Sequence, residues 1–88
     1  MTEEIMFAKS LSGHDKNQYY LVIGEVGTRL ILTNGNTKPL EKPKTKNEKH
    51  LQLIKNIPEC AAEIIKERKD NESIRRALKL YVKSIMSN

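Results

Sequence analysis

The spacing of apolar residues changes once along this chain, and the change falls near Ile57. All four glycines lie before residue 36, among short runs of β-branched, aromatic and aliphatic residues. After Ile57 the apolar residues recur at helical spacing instead. The sequence therefore predicts a fold that is mainly β with an α extension. We expect a β unit over residues 1–56 and a helical unit over residues 57–88.

The β unit contains five candidate strands. Residues 19–23 form an aromatic and β-branched run, and Gly27-Thr28 then turns the chain into residues 29–33. Asn34-Gly35 tolerates positive φ at both turn positions and predicts a tight hairpin. The other candidate strands are residues 6–10, the surroundings of Leu40, and residues 50–53. Five short strands with tight turns indicate a small barrel, because closure removes the edges of the sheet.

The helical unit predicts two helices. Pro58 suits the first position of a helix, because its missing N–H has no intrahelical partner there. Asp70 suits the N-cap of the second helix. That helix carries an apolar stripe made of Ile74, Ala77, Leu78, Tyr81, Val82 and Ile85. Such a stripe requires burial, and we expect the helical unit to pack on the barrel.

Composition excludes several classes of protein. Eighty-eight residues form one small domain, and a single cysteine rules out a disulfide framework. Cys60 lies in an apolar stretch and is expected to be a buried or half-buried thiol without a catalytic role. The spacing of His14, His50 and Cys60 fits no metal site, and no phosphate-binding loop is present, so we expect neither enzyme activity nor a cofactor.

The placement of charge suggests an anionic partner. The chain has 16 Lys+Arg and 11 Asp+Glu, for a net charge of +5. Residues 29–56 hold seven basic and two acidic side chains, and thus a net charge of +5 by themselves. The acidic first residues do not resemble a signal peptide, and no apolar run has the length of a membrane span. We therefore expect a cytoplasmic protein with no membrane partner.

Three lysines alternate in this basic stretch. Pro43 disfavours a helix, and in an extended chain Lys42, Lys44 and Lys46 would share one face at intervals of ~6.6–6.8 Å. A nucleic-acid strand offers one phosphate per ~3.4 Å, so such a row could meet alternate phosphates. Lysine reads no base, and the row predicts affinity without sequence preference. The alternative is a solvated edge strand that Lys and Pro protect from aggregation.

The loop at residues 12–16 is a second candidate. Asp15 is expected to bond backbone amides as an Asx-turn, which leaves His14 and Lys16 to face phosphate or bases. A solvated surface histidine is the alternative. Tyr19 and Tyr20 must face opposite sides of a strand, so one is expected in the core and the other could stack on bases. A secondary basic face, which could also be merely solvated, comprises Arg75, Arg76, Lys79 and Lys83.

Two segments resemble a known family. Lys9-Ser10, Gly13-His14-Asp15-Lys16, Tyr20 and Val22 follow the order of the KOW motif. Residues 38–52, which read KPLEKPKTKNEKHLQ, are similar to a segment of small bacterial KOW-domain RNA-binding proteins. Those proteins are similar to the archaeal and eukaryotic large-subunit ribosomal protein family fourteen. Asn17 stands where that family often has glycine.

The resemblance implies a five-stranded SH3-like barrel of KOW type, followed by one or two C-terminal helices. It also implies a non-catalytic role in binding ribosomal or other structured RNA, with contacts to ribosomal proteins and no small-molecule substrate. The predicted RNA-binding residues are Ser12, Gly13, His14, Lys16, Lys42, Lys44, Lys46, Lys49 and His50. Two alternatives stay open. One is an SH3-like protein-interaction module that uses the barrel or the helix stripe, and the other is DNA binding.

Overall fold

The structure, a computed structural model, describes residues 5–86. Five strands come first: β1 (Phe7–Ser10), β2 (Tyr19–Val26), β3 (Arg29–Thr33), β4 (Lys44–Asn47) and β5 (Leu51–Ile54). A 3-10 helix (Glu48–His50) joins β4 to β5, and the helices α1 (Glu59–Glu67) and α2 (Asn71–Met86) follow. All strand pairs are antiparallel, in the order β4-β3-β2-β1-β5. The prediction of a five-stranded β unit with a helical extension is confirmed at this level.

The fourth strand differs from the prediction. The chain around Leu40 forms a turn, in which the Lys42 N–H donates to the Pro39 carbonyl over 2.9 Å. The strand is instead β4, within the lysine-rich segment, where it lies at one edge of the sheet. His50 ends the 3-10 helix rather than starting a strand. Leu40 misled the prediction because a single apolar residue next to proline does not establish a period.

The two predicted turns behave differently. Gly27 and Thr28 form the predicted turn between β2 and β3, with Gly27 at a φ of 61°. The tight hairpin predicted at Asn34-Gly35 is wrong. The Asn34 carboxamide oxygen accepts the N–H groups of Asn36 and Lys38, each over 2.9 Å, and this organises a wider loop before β4. The side chain of Asn34 thus competes with the hairpin geometry that its backbone would tolerate.

The sheet is strongly curved. The Glu48 N–H donates to the Thr28 carbonyl (3.0 Å), and the Leu11 N–H donates to the His50 carbonyl (2.9 Å). Thr28 follows the end of β2, and Leu11 follows the end of β1 that pairs with the start of β2. If β2 were straight, it would span ~26 Å. The 3-10 helix that contacts both residues rises only about 6 Å. A register shift between Val22 and Gly24 supplies the bend, because a bulged strand bends and twists more strongly.

Each face of the sheet has its own apolar cluster. On the inner, concave face Ala8, Tyr20, Leu30, Leu32 and Leu51 pack together. On the other face, the sheet packs against both helices through the buried side chains Phe7, Leu21, Ala61, Ile65, Ile74, Ala77 and Leu78. The two-residue period of the strands separates these sets. The sheet is therefore covered on one side by helices and folded around its own side chains on the other.

The helix starts lie close to their predicted positions. Pro58 is the N-cap of α1, so the helix begins one residue later than predicted. The Asp70 carboxylate caps α2 by accepting the Ser73 N–H over 2.8 Å, as predicted. Cys60 is exposed on α1, which corrects the expectation of a buried or half-buried thiol. Within residues 5–86, neither helix has the length and apolar character needed to cross a membrane.

Candidate nucleic-acid interface

The β1–β2 loop (residues 11–18) is a compact double turn. The Lys16 N–H donates to the Gly13 carbonyl (3.2 Å), and the Gln18 N–H donates to the Asp15 carbonyl (2.9 Å). Two residues adopt positive φ, Gly13 at 87° and Asn17 at 73°. Asparagine is among the few residues other than glycine that adopt the left-handed region readily. Asn17 therefore supports a loop shape that glycine would otherwise supply.

Beneath this loop lies a group that we call the Asp15 cluster, made of Ser10, Asp15, Tyr20, Lys44 and Lys46. Asp15 Oδ1 accepts from Ser10 Oγ (2.9 Å) and Lys46 Nζ (2.7 Å). Asp15 Oδ2 accepts from Tyr20 Oη (2.8 Å) and Lys44 Nζ (2.6 Å). A carboxylate has about four acceptor sites, and all four are filled here. The predicted Asx-turn is thus replaced by bonds from four side chains.

The two lysines of the cluster differ in how many of their ammonium N–H groups are unengaged. The Lys46 ammonium meets three acceptors, which are Ser10 Oγ, the Ser12 carbonyl and Asp15 Oδ1. Its three N–H groups are therefore all engaged. Lys44 donates to Asp15 and lies 5.4 Å from the centre of the Tyr20 ring. Its side chain is 23% exposed, against 14% for Lys46.

The cluster controls the ionisation of its members. Burial alone would raise the pKa of Asp15, but the bonds from Lys44, Lys46, Tyr20 and Ser10 outweigh it and hold that pKa far below its ordinary value. Burial raises the pKa of Tyr20, and the hydrogen bond to the Asp15 carboxylate raises it further. The carboxylate thus stays ionised and the phenol stays neutral across the physiological range, which suits a structural role.

The predicted row of three outward lysines takes another form. Lys44 and Lys46 share a face, as their spacing requires, but that face is the concave one, where they pair with Leu32 and Leu30 of β3. Lys42 precedes the strand in a bend and is exposed. An edge strand was the predicted alternative and is the geometry observed, although its two lysines are tied to Asp15 rather than solvated.

The remaining predicted residues surround the loop. His14 and Lys16 are exposed at its tip together with Gly13, and Ser12 is half-buried. Lys49 and His50 are exposed on the 3-10 helix. The bond from the Leu11 N–H to the His50 carbonyl joins this helix to the start of the loop. Residues separated by more than 30 positions are therefore brought to one region of the molecule.

Three of the predicted lysines have free ammonium groups. Lys16, Lys42 and Lys49 make no side-chain hydrogen bond or ion pair with any residue in the described range 5–86. Lysine ammonium groups in this state are available to phosphate oxygens without the loss of an internal bond. The arrangement can therefore bind a polyanion.

The adjacent tyrosines divide as predicted. Tyr20 is in the core of the concave face, and Tyr19 is half-buried on the opposite face. The Tyr19 ring meets the edge of Tyr81 at 5.8 Å between centroids, and Lys9 Nζ lies 5.7 Å from its centre. Tyr19 is therefore held in a fixed position by its neighbours.

The secondary basic face is exposed along α2. Arg75 donates to the Gly35 carbonyl over 2.7 Å, and this bond ties the helix to the loop after β3. Arg76, Lys79 and Lys83 are exposed, with no side-chain bond to another described residue. No group of three His, Cys, Asp or Glu side chains within residues 5–86 is arranged to hold a metal ion.

Sequence reasoning missed the Asp15 cluster. The sequence indicates separate roles for the lysines, Asp15 and Tyr20, but their meeting depends on β4 and on the curvature of the sheet. The sequence signal for the cluster is the two-residue spacing of Lys44 and Lys46. In a strand this spacing puts both ammonium groups on one face, and in the structure that face is the one that carries Tyr20. The sequence matches no protein-family model and no curated protein.

Proposed function

We propose that this chain is a non-catalytic RNA-binding protein that contacts the RNA backbone with the β1–β2 loop and its neighbours. The observation that carries the proposal is the joining of the loop to the 3-10 helix through Leu11 and His50. This contact gathers exposed basic groups from distant parts of the sequence. The contact residues that we assign are His14, Lys16, Lys42, Lys49 and His50.

Lys44 and Lys46 have a different role in this proposal. Their ion pairs with Asp15 hold the loop in shape, and Lys46 has no donor left for a phosphate. Three free lysines remain, and a single-stranded RNA releases about 0.7 counterions per neutralised phosphate. The log–log dependence of the binding constant on salt should therefore have a slope of about −2 at this surface.

We also propose that the curved sheet is an SH3-like barrel of KOW type, with β4 and β5 at its open seam. Two observations support the proposal. The strand order places β1 between β2 and β5, and the 3-10 helix bridges the two ends of β2. A rigid scaffold of this kind would hold the loop while the loop itself makes the contacts.

Structured RNA of the translation machinery is the partner we propose, on the strength of the resemblance to KOW-domain proteins. Backbone contacts through lysine do not by themselves distinguish RNA from DNA. RNA preference requires contacts to the 2′-hydroxyl, and the loop carbonyls and the histidines can make them. A DNA of identical sequence is therefore the matched competitor in every binding assay.

One observation favours a second candidate function, a protein-interaction module. Leu53 on β5 is 38% exposed and Ile85 on α2 is 49% exposed. Both border a depression of about 500 Å³ beside the outer edge of β5. An open edge next to apolar side chains is suited to an added peptide strand. This surface lies apart from the basic loop, so the two candidates make separable predictions.

Sedimentation of a cell lysate through a density gradient tests the proposal. We expect the protein to migrate with ribosomal particles and to leave them after ribonuclease treatment or in high salt. A protein-interaction module would keep its partner after ribonuclease treatment. Recovery of the protein only at the top of the untreated gradient would contradict an association with the ribosome.

A further inference from the structure

A groove runs between the end of the β1–β2 loop and α2. It has a volume of about 550 Å³ and is open to solvent. One wall is α2, and the other is formed by residues 17–19 and by the loop after β3. The groove therefore begins where the proposed RNA-binding loop ends, because Asn17 directly follows Lys16.

The wall formed by α2 is cationic. Arg75, Lys79 and Lys83 line it at intervals of four residues, which places them about 6 Å apart along the helix. None of the described side chains that line the groove is acidic. Lys79 and Lys83 have no partner among residues 5–86, so both ammonium groups are free. This wall is complementary to a phosphate backbone.

The opposite wall carries side-chain amides. Asn17, Gln18 and Asn36 line the groove, and none of their carboxamides bonds another described residue. Asn34 also lines it, but its carboxamide is engaged within its own loop. A free carboxamide offers two donors and an acceptor, the combination that reads the edges of bases.

Apolar side chains also line the groove. They are Leu78, Val82 and Met86 on α2, together with the ring of Tyr19 across from them. The contacts of that ring with Tyr81 and Lys9 fix its position before any ligand arrives. Unstacked bases bury their apolar faces against such side chains. The groove thus offers cations to a phosphate, apolar side chains to the face of a base and carboxamides to the edge of that base.

We propose that the groove binds a short single-stranded stretch of RNA and gives the protein a base preference. Lys79 and Lys83 hold phosphates, and Gln18 and Asn36 read base edges. The inference rests on the proposed RNA-binding function and deepens it, because the loop lysines alone would bind all sequences equally. An acidic protein segment is the competing occupant, and the amide wall together with the continuity with the loop favours RNA.

Equilibrium binding of four RNA homopolymers, each of eight nucleotides, tests the inference by fluorescence anisotropy. We expect the affinities of the unmodified chain to differ by about fivefold or more between the best and worst homopolymer. The double variant Gln18→Ala, Asn36→Ala should reduce this spread to about twofold or less, because the base-reading groups are gone. Circular dichroism checks that the variant keeps its fold.

A charge variant tests the cationic wall. Lys79→Gln with Lys83→Gln should weaken the binding of all four homopolymers and reduce the salt slope by about 1.4. The matched control is Lys55→Gln with Lys66→Gln, which removes the same charge from two exposed lysines outside the groove. The control should retain most of the affinity that the groove variant loses.

The outcomes separate the groove from the loop. Equal affinity for all four homopolymers, with groove variants that match the control, would overturn the groove inference and leave the proposed function intact. Absence of RNA binding by the unmodified chain would overturn both. Unchanged RNA binding by the groove variants, with loss of a ribonuclease-resistant acidic protein partner, would assign the groove to that partner and overturn the inference.

Discussion

At the scale of single residues, Asp15 organises the candidate interface. Its carboxylate accepts from four side chains that come from β1, β2 and β4. Its own side chain is only 17% exposed, so these interactions occur largely out of water. Gly13 sits directly above, with Lys46 Nζ 3.4 Å from where a Cβ would lie. One carboxylate therefore joins the loop tip to the far edge of the sheet.

Replacing this carboxylate should destabilise the fold. Asp15→Asn keeps the size of the side chain but leaves two partly buried ammonium groups without their anionic acceptor. Breaking a buried ion pair costs about 3–5 kcal/mol, and the residual exposure of these groups reduces the expected loss to about 2–3 kcal/mol. Urea denaturation measures it. Glu63→Gln, on the exposed surface of α1, is the control and should change stability by less than about 0.5 kcal/mol.

The same substitution should change the acid limb of the stability curve. The pKa of Asp15 is lowered in the folded state, so its carboxylate stabilises the fold above its unfolded pKa near 3.9. That stabilisation is lost progressively as the pH falls from about 5 towards 2. Asp15→Asn should flatten the stability curve over this window. A variant that keeps the full acid dependence would show that other carboxylates cause it.

The residue scale also shows what the sequence could predict. Opposite faces for Tyr19 and Tyr20, and a common face for Lys44 and Lys46, follow from the two-residue period alone. Which face is concave does not follow, because it depends on the bulge near Gly24 and on where the helices pack. The sequence therefore predicted correctly that Lys44 and Lys46 share one face of the strand. It wrongly predicted that this face is exposed to solvent, whereas both lysines pair with Asp15.

At the scale of elements, the loop after β3 joins the sheet to α2. The Gly35 carbonyl accepts from Arg75, and the Leu40 N–H donates to Asn71 Oδ1 over 2.8 Å. A Cβ at Gly35 would lie 2.2 Å from the Asn71 carbonyl oxygen, far inside any real contact. Asn34-Gly35 resembled a hairpin in sequence, but its glycine instead permits the close approach of a helix.

Gly35→Ala should therefore destabilise the protein more than Gly27→Ala does. Both glycines have positive φ, at 73° and 61°, which costs alanine about 1–2 kcal/mol in either position. A Cβ at Gly27 meets nothing within 4 Å, whereas one at Gly35 clashes with the backbone of α2. We expect Gly35→Ala to lower the free energy of unfolding by about 1 kcal/mol or more beyond the loss in Gly27→Ala, because overpacked sites show losses of this size. Thermal unfolding of both variants measures the difference, and equal losses would contradict the close approach.

Elements with their own local signals were predictable, and elements defined by tertiary contacts were not. The cap at Asp70 and the apolar stripe of α2 are local, and both were predicted correctly except for Ile85, which belongs to the predicted stripe but is 49% exposed. β4 contains two lysines, a threonine and an asparagine, and has no apolar residue to mark it as a strand. It forms because β3 pairs with it and because Asp15 anchors its side chains.

At the scale of the whole molecule, the curved sheet and the helices create two adjacent surfaces. The first is the lysine-bearing loop with the 3-10 helix beside it, and the second is the groove along α2. Both have an excess of free cations, in keeping with a net charge of +5. The sequence predicted each basic segment by itself. That the groove lies directly beside the loop could be seen only in the folded structure.

Binding of purified protein to a structured RNA over a series of salt concentrations tests the central claim most directly. The variant Lys16→Gln, Lys42→Gln, Lys49→Gln is compared with Lys38→Gln, Lys55→Gln, Lys66→Gln, which removes equal charge elsewhere. We predict tight, salt-dependent binding by the unmodified chain and the control, and a slope shallower by about 2 in the loop variant. The unmodified chain should also bind RNA more tightly than DNA of the same sequence. A loop variant that binds as the control does, with an equal salt slope, would contradict the account.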